Sequence, residues 1–331
     1  MQRLPRRGYA ARGGRPGGPG WSGGRIETGC PALSPGNGRS SNKTGPLWLR
    51  PDVEEAINEG APVVLLETSI VAHGLPTPHN IDAALSCEEA IRKAGAIPAT
   101  VAVADGALRI GITEHEIRRL AQEPAVKVSA RDLGWAIATK QLGATTVAGT
   151  LRAAELTGLR FMATGGIGGV HLGRADDVSA DLFELSRTAC AVFCAGPKSV
   201  LDVGLTVERL ESLAVPVLGW RTTTLPAFYV KATPHRIPSI ENAAALRATW
   251  ETGSHGIVVA VAPPRELPDA AQLTARALSE IEDATGPDLT PRLLSRIAEL
   301  SRGRSVEINI ELVVNNARQA AEAAVEFAAS G

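Results

Sequence analysis

The sequence of 331 residues predicts an α/β protein, in which helices cover both faces of a largely parallel mixed sheet, giving three layers in a single domain. From Pro51 onward, short apolar runs alternate with helical patterns, which is typical of such a sheet. The composition, 44% hydrophobic and 21% charged, is that of an ordinary globular protein with a sizeable core. No linker rich in Gly, Pro or Ser divides residues 46–331, so we predict one domain there.

Each element follows from a local pattern. Strands are predicted at "APVVLLETS", "PATVAVADG", "ALRIG", "AVKVSA", "LRFMAT", "AVFCA", "VPVLGW" and "GIVVAVAPP". Helices are predicted at "IDAALSCEEAIRKAG", "TEHEIRRLAQ", "RDLGWAIATKQLG", "SADLFELSRT" and "IENAAALRATWETG", and three more fill the last seventy residues. The segment "TTVAGTLRAAELTG" begins extended and continues as a helix.

Residues 1–45 differ from the rest of the chain. They are rich in Gly, Pro, Ser and Arg, and Glu27 is their only acidic residue. Such a composition does not form a core, so we predict a disordered extension before the catalytic domain at 46–331. The segment lacks the apolar stretch of a secretory signal, and its Gly and Pro oppose the amphipathic helix of a transit peptide. We expect a cytoplasmic protein.

The net charge argues against some classes of binding partner, and the cysteine content argues against a disulfide-stabilised fold. The net charge is −1, so no global field favours nucleic acid or an anionic membrane, and no apolar run reaches the ~20 residues that span a bilayer. The four cysteines, which are Cys30, Cys87, Cys190 and Cys194, do not make a disulfide framework in a chain of this length. We interpret Cys190 and Cys194 as small core residues.

Polar residues that follow the predicted strands are the site candidates, because ligands of open α/β sheets bind beyond the carboxyl ends of the strands. Glu67 and His73 follow the first of these strands, Lys127 lies in "VKVSARD", and "GGIGGVH" follows "FMAT". Lys198 follows "FCAG". These residues are expected to meet at one edge of the sheet.

Lys198 stands out because only six of the 34 basic residues are lysines. Pro197 suits the first turn of a helix, which would place Lys198 at the positive end of the helix dipole. That position disfavours a cation. Lys198 is therefore either an incidental surface residue or an amine that must be neutral, as a nucleophile must be.

Two further motifs each allow two interpretations. The glycines of "TGGIGGVH" could leave backbone N–H groups facing an anion such as phosphate, or could form a structural turn. In "RADDVSADL", Asp176, Asp177 and Asp181 surround a helix start at Ser179. They could hold Mg²⁺ or Mn²⁺ with water, although the spacing alone favours a helix cap.

Glu67 ends an apolar strand, where partial desolvation would suit a general acid, although a solvated glutamate at a strand end is the alternative. His73 and His171 each lie near a glycine and could be structural. The adjacent asparagines Asn315 and Asn316 lie in a predicted helix, where they are poor helix formers, so a polar role such as holding a ligand is plausible for them.

Together these motifs resemble the pseudouridine-5′-phosphate glycosidases, collinearly from about residue 62 to 325. The segments that carry the resemblance include "LLETSIVAHGLPTP", "KVSARDL", "GATTVAGTLRAAELTGLRFMATGGIGGVH", "DVSADLFEL", "CAGPKSVLDVGLTVERLE" and "NIELVVNNA". This chain departs from the common family pattern at Thr68-Ser69, where the two hydroxyl residues are exchanged, and at Ala130, where a basic residue is usual.

The resemblance implies reversible cleavage of the C–C glycosidic bond of pseudouridine 5′-phosphate to uracil and ribose 5-phosphate, in nucleotide catabolism. It implies an α/β/α fold, a homotrimer and one divalent metal, typically Mn²⁺, in each subunit. By position in the motifs, Lys198 matches the nucleophile, Glu67 the proton donor and Asp177 the metal ligand. The matching substrate contacts are Lys127, Val147, Ser179, Ala180, Asp181 and one of Asn315 and Asn316.

Cleavage of a C-glycoside is chemically consistent with a lysine nucleophile. A C-glycoside has no leaving oxygen to protonate, so the sugar carbon must be stabilised in another way when the bond breaks. An amine bound to that carbon stabilises it as an iminium. Two other functions remain open from the sequence: a phosphosugar lyase of the aldolase type, which also uses a Schiff base, and a non-catalytic sensor of nucleotide phosphate.

Overall fold

The computed structural model describes residues 46–253, 255–281 and 289–330. The predicted disordered extension, residues 1–45, lies outside the described residues. The strands are β1 (Leu47–Leu49), β2 (Val63–Leu66), β3 (Ile97–Ala104), β4 (Ala107–Ile110), β5 (Val126–Val128), β6 (Gly143–Thr145), β7 (Phe161–Ala163), β8 (Val170–His171), β9 (Arg174–Val178), β10 (Ala191–Cys194), β11 (Leu201–Asp202), β12 (Val217–Trp220), β13 (Ser239–Ile240) and β14 (Ile257–Ala260).

The helices follow the predicted pattern, including three at the C-terminal end. They are α1 (Pro51–Glu59), α2 (His79–Lys93), α3 (Glu114–Gln122), α4 (Leu133–Ala138), α5 (Val147–Thr157), α6 (Ala180–Leu185), α7 (Val203–Ser212), α8 (Ala244–Thr252), α9 (Ala270–Glu280), α10 (Leu289–Leu300) and α11 (Arg304–Ala329). A π-helical turn covers Ile70–Gly74, and a short 3₁₀ turn covers Ala130–Asp132.

The main sheet is largely parallel, as predicted. Its strand order is β1-β4-β3-β2-β7-β10-β14-β12-β13, and β6 pairs with both β3 and β5. Within the described residues, only the β3–β4 and β3–β6 pairs of this sheet are antiparallel. The sheet is therefore mixed at one end and parallel where β2, β7 and β10 lie side by side.

Successive residues of the central strands serve opposite layers, because side chains alternate across a sheet. Leu66 of β2 packs in one core cluster with Ile91 of α2 and with α11. Its neighbour Leu65 packs in a second cluster with Leu151 of α5 and with α1. Both leucines are buried. This confirms the three-layer arrangement.

A second sheet of three short strands, in the order β11-β8-β9, was not predicted. Its strands are antiparallel, and two of them have only two residues, too few for an alternating pattern in the sequence. Gly173, with φ at +72°, makes the turn between β8 and β9. This small sheet connects the glycine-rich segment to the segment that carries Lys198.

Candidate active site

Most of the predicted site residues meet where the central strands end. Two neighbouring cavities open there. The small cavity, about 50 Å³, is lined by residues that include Glu67, Ile70, His73, Lys127, Thr164, Gly165, Lys198, Phe228, Thr290, Leu294 and Asn309. The large cavity, about 390 Å³, is lined by residues that include Lys127, Ser129, Arg131, Thr146, Val147, His171, Asp177, Ser179, Ala180, Asp181, Lys198 and Thr290.

Glu67 directly follows β2 and is buried, with 7% of its surface exposed. One carboxylate oxygen, Oε1, accepts a hydrogen bond of 3.1 Å from Thr164 Oγ1. The other, Oε2, accepts hydrogen bonds from both the backbone N–H and the hydroxyl of Ser69. Ser69, one of the two hydroxyl residues whose order differs from the common family pattern, thus donates to this carboxylate. These three bonds fix the carboxylate in one orientation toward the small cavity.

Lys198 lines both cavities and is partly buried. Among the described residues, no carboxylate lies within ion-pair distance of its ammonium group. An amine without a counter-ion that faces two cavities is accessible to a ligand in either one.

The prediction that Lys198 lies in the first turn of a helix is wrong. Helix α7 begins at Val203, and its N-cap is Asp202, whose side chain accepts a hydrogen bond from Leu205 N. Pro197 instead pairs with Ile167 as an isolated bridge, and Lys198 N donates to Ile167 O. The backbone around Lys198 is held by the glycine-rich segment, so the helix dipole does not explain its placement.

The large cavity brings together most of the predicted substrate-binding residues. Lys127, on β5, is exposed into it, and Val147, Ser179, Ala180 and Asp181 line it. Lys127 also lines the small cavity. A cavity with cationic and hydroxyl groups on its wall suits an anionic, polyhydroxylated ligand.

The glycine-rich segment between β7 and β8 uses three of its backbone N–H groups within the protein. Ile167 N donates to Gly196 O, Val170 N donates to Thr206 Oγ1, and Gly168 N donates to Asp181 Oδ2 at 2.8 Å. Anion binding by the other N–H groups of the segment stays a prediction, and at Gly168 close packing requires a glycine. A Cβ on Gly168 would lie 2.2 Å from the Ser179 hydroxyl.

Ser179 and Asp181 have capping roles, which was the interpretation that spacing favoured. Ser179 is the N-cap of α6, and its hydroxyl accepts a hydrogen bond from Asp181 N. The Asp181 carboxylate accepts hydrogen bonds from Gly168 N and from Ala148 N in the first turn of α5. Asp181 therefore ties the glycine-rich segment to α5 at the edge of the large cavity.

Asp177 lies apart from this cap, on β9. Its Oδ1 is 3.3 Å from His171 Nδ1, and its Oδ2 is buried with no hydrogen-bond partner. Within residues 46–253, 255–281 and 289–330, no group of three His, Cys, Asp or Glu side chains is arranged to hold a metal. The unpaired oxygen fits a divalent cation that takes one protein ligand and completes its coordination with water and substrate oxygens, as Mg²⁺ and Mn²⁺ do.

The two predicted asparagines, both on α11, do not line either cavity. Asn315 accepts a hydrogen bond from Arg318, and the fully buried Asn316 donates to Thr164 O and Gly165 O, which anchors the start of the glycine-rich segment. Asn309 lines the small cavity instead, and its buried Oδ1 has no partner. The sequence signal for Asn309 is its position two helical turns before Asn316, on the same face.

Two of the described cysteines are core residues, as predicted. Cys190 and Cys194 are fully buried, and burial raises the pKa of the Cys194 thiol to about 12. A thiol that stays protonated in the core is neither a nucleophile nor a metal ligand.

In the part of the chain that the structure describes, no helix combines the length and apolarity that a membrane span requires.

Known proteins match most of the chain, beyond its motifs. A family model described as "Indigoidine synthase A like protein" matches residues 52–326. The chain belongs to this family. A pseudouridine-5′-phosphate glycosidase of Alkaliphilus metalliredigens is 44% identical over 294 residues, which cover 84% of this chain and 96% of the relative. An Escherichia coli protein with the same name is 43% identical over 297 residues, which cover 85% of this chain and 95% of the relative.

A third relative with that name, from Geobacillus kaustophilus, is 46% identical over 296 residues, covering 85% of this chain and 98% of the relative. The predicted resemblance is thereby confirmed. Solved structures of indigoidine synthase A-like proteins share the fold. The Thermotoga maritima protein superposes with a TM-score of 0.80 at 32% identity, covering 88% of this chain and all of that chain (100%).

A second solved structure is the prealnumycin C-glycosynthase AlnA in complex with ribulose 5-phosphate. It superposes with a TM-score of 0.79 at 35% identity and covers 86% of this chain and 97% of its own. These similarities confirm the predicted α/β fold class.

Proposed function

We propose that this protein reversibly cleaves the C–C glycosidic bond of pseudouridine 5′-phosphate, giving uracil and ribose 5-phosphate, with Lys198 as nucleophile and Glu67 as general acid. The observation that carries the proposal is that Lys198 lies on the wall shared by both cavities. The names of relatives that are 43–46% identical support the reaction. So does a related C-glycosynthase that binds a pentulose phosphate.

The two cavities divide the substrate between them. The small cavity has apolar walls from Ile70, Phe228 and Leu294, and suits a planar base. The unpaired Oδ1 of Asn309 would accept a hydrogen bond from a base N–H, which uracil offers. The large cavity suits the sugar phosphate, and Lys127 is its candidate partner for the phosphate.

The bond breaks between the two cavities, beside Lys198 and Glu67. The Lys198 amine attacks C1 and displaces the ring oxygen, which takes a proton that the attacking nitrogen gives up, so the sugar ring opens. The Lys198 nitrogen then supplies the electron pair that forms the iminium as the C–C bond breaks. The pair from that bond goes to the uracil carbon, which takes a proton from Glu67. Water then adds to the iminium, releases ribose 5-phosphate and restores the Lys198 amine.

Asp177 would hold a divalent cation, Mn²⁺ by family resemblance, through its unpaired Oδ2. When bound, such a cation polarises and orients substrate oxygens in the large cavity. Asp177 itself stays oriented by His171. A homotrimer, a cytoplasmic location and a role in nucleotide catabolism complete the proposal, and they rest on the family resemblance alone.

The test is an ultraviolet assay of the full chain with pseudouridine 5′-phosphate, with and without Mn²⁺. Release of uracil and ribose 5-phosphate is the expected result. An enzyme that cleaves phosphosugars lacking a C-linked base would be an aldolase-type lyase, and a protein that binds the nucleotide without turnover would be a sensor. Either outcome contradicts the proposal.

A further inference from the structure

Glu88 is a buried carboxylate that the proposed reaction does not use. It lies on α2, and only 4% of its surface is exposed. Its Oε1 accepts a hydrogen bond of 2.6 Å from Thr100 Oγ1, and its Oε2 lies 2.6 Å from the guanidinium of Arg92. The Arg92 side chain is 53% exposed, so this group of three residues reaches from the sheet interior to solvent. A charge this deeply buried is costly unless paired, and here the hydrogen bonds extend to Thr100 of β3.

A third cavity, of about 20 Å³, lies between Glu67 and Thr100 and is lined by both residues. The strand register brings the two residues close, because Leu66 of β2 is paired with Thr100 of β3 and Glu67 is the first residue past the end of β2. Thr164, which donates to Glu67, also lines the cavity. A single water needs roughly 10–15 Å³ and two or more polar partners. This cavity offers both.

Cys87, the chain neighbour of Glu88, also faces Glu67 across the third cavity. Its buried thiol also lines the third cavity. Burial raises the pKa of this thiol, and the negative charges of Glu88 and Glu67 raise it further. One side chain therefore senses both carboxylates across the same small space.

We propose that a water in the third cavity joins Glu67 to Thr100 and Glu88, so that Glu67 exchanges its proton with solvent through the protein interior. The inference rests on the proposed role of Glu67. In the reaction, the bound base covers the other face of Glu67 in the small cavity. A second route is useful because Glu67 must gain and lose one proton in every turnover.

The proton moves by successive transfers. Glu67 gives its proton to the water, the water gives one of its own to Thr100 Oγ1, and Thr100 gives its hydroxyl proton to the Glu88 carboxylate. The water and Thr100 each lose one proton and receive one, so both are unchanged. Glu67 is left as the carboxylate, and Glu88 releases the proton to solvent beside Arg92. Thr100 and Glu88 are thus positioning residues, since neither touches the substrate.

The test uses isotope exchange in the synthetic direction. The enzyme is given uracil deuterated at C5 and ribose 5-phosphate in ordinary water, so that bond formation transfers deuterium to Glu67. If Glu67 quickly exchanges this deuterium for a proton from solvent, then breaking the C–C bond again returns a proton to uracil C5. Deuterium is then lost from uracil faster than pseudouridine 5′-phosphate accumulates. The measured quantity is the ratio of deuterium lost to product formed.

We expect Thr100→Val and Glu88→Gln to lower this ratio toward unity, by about threefold or more, because the deuterium returns to uracil before it exchanges. Glu88→Gln retains an acceptor for Thr100 and serves if Thr100→Val does not fold. Glu116→Gln is the matched control, because Glu116 is also buried and paired with an arginine, Arg109, but lines none of the three cavities.

A ratio near unity in the wild type, or a ratio that neither variant changes, would overturn the proposed proton route. The failure of the proposed function would look different. In that case the wild type would form no pseudouridine 5′-phosphate and would release no deuterium from uracil.

Discussion

The small and large cavities meet at Lys198 but are built differently. In the small cavity, the two groups proposed to face the base are buried: Glu67 accepts three hydrogen bonds, and Asn309 is 4% exposed on α11. In the large cavity, Lys127 is exposed and the loops bring many polar groups to an open wall. Rigid, desolvated groups favour chemistry, whereas exposed charges favour capture of an anion. The comparison supports the proposal that proton transfer takes place in the small cavity and that the large cavity binds the phosphosugar.

The largest effect is expected at the shared wall. Lys198→Arg keeps the charge but does not form an imine, so turnover should fall by more than ~10³-fold. Borohydride added with ribose 5-phosphate should inactivate the wild type, and peptide mapping should find the reduced sugar on Lys198. An adduct on Lys127, in the large cavity, would reverse the roles of the two lysines.

In the small cavity, Glu67→Gln should lower kcat by ~10²–10⁴-fold, because the amide does not donate the proton that the leaving carbon needs. The KM for ribose 5-phosphate should change little. Thermal melting checks that the variant is folded, and Glu116→Gln is the matched buried control. Turnover within about threefold of the wild type would exclude Glu67 as the acid.

In the large cavity, chelation of divalent metal should lower activity by at least ~10²-fold, and Asp177→Asn should raise the Mn²⁺ concentration that restores it. Calorimetric titration with Mn²⁺ measures the affinity directly. Asp176→Asn is the control, because Asp176 is the exposed neighbour on the same strand. Equal effects of the two substitutions would show that Asp177 is not the ligand.

The smallest effects are expected on KM, where a substitution in each cavity should affect the KM of only one of the two substrates. In the synthetic direction, Lys127→Arg should raise the KM for ribose 5-phosphate by ~10-fold, since a loosely matched cation still binds phosphate. Asn309→Ala should raise the KM for uracil by ~3–10-fold, the value of one neutral hydrogen bond. Initial rates with each substrate varied in turn measure both. If either variant changed both KM values equally, the division of the substrate between the cavities would be wrong.

The sequence predicted the strand-end location of Glu67 and Lys198 correctly, because parallel strands present their carboxyl ends at a common edge. Lys127 reaches the same place for another reason: β5 and β6 run antiparallel to β3, and the end of β6 meets the end of β2, where Thr68 N donates to Thr145 O. It did not predict the backbone at Lys198. The Gly-Pro break resembles a helix start, but the backbone groups there are used by Ile167 of the glycine-rich segment. Pairing between segments about 30 residues apart leaves no local pattern.

The asparagines show the same limit. Helical periodicity placed Asn315 and Asn316 on α11 but did not tell which face of the helix meets the cavity. Packing against the sheet turns Asn316 toward the backbone of the glycine-rich segment, turns Asn315 toward Arg318, and leaves Asn309 facing the small cavity.

By itself, the sequence determined the alternation of strands and helices, the two-sided burial of the central strands and the residues at their ends. These features follow from local hydrophobic periodicity and from the short reach of turns and caps. Only the tertiary structure decided that Lys198 lies on two cavities at once, that Asp181 caps while Asp177 keeps an unpaired oxygen, and that Thr100 and Glu88 lie behind Glu67. Those relations depend on strand register and helix packing between residues far apart in the chain, which local patterns do not encode.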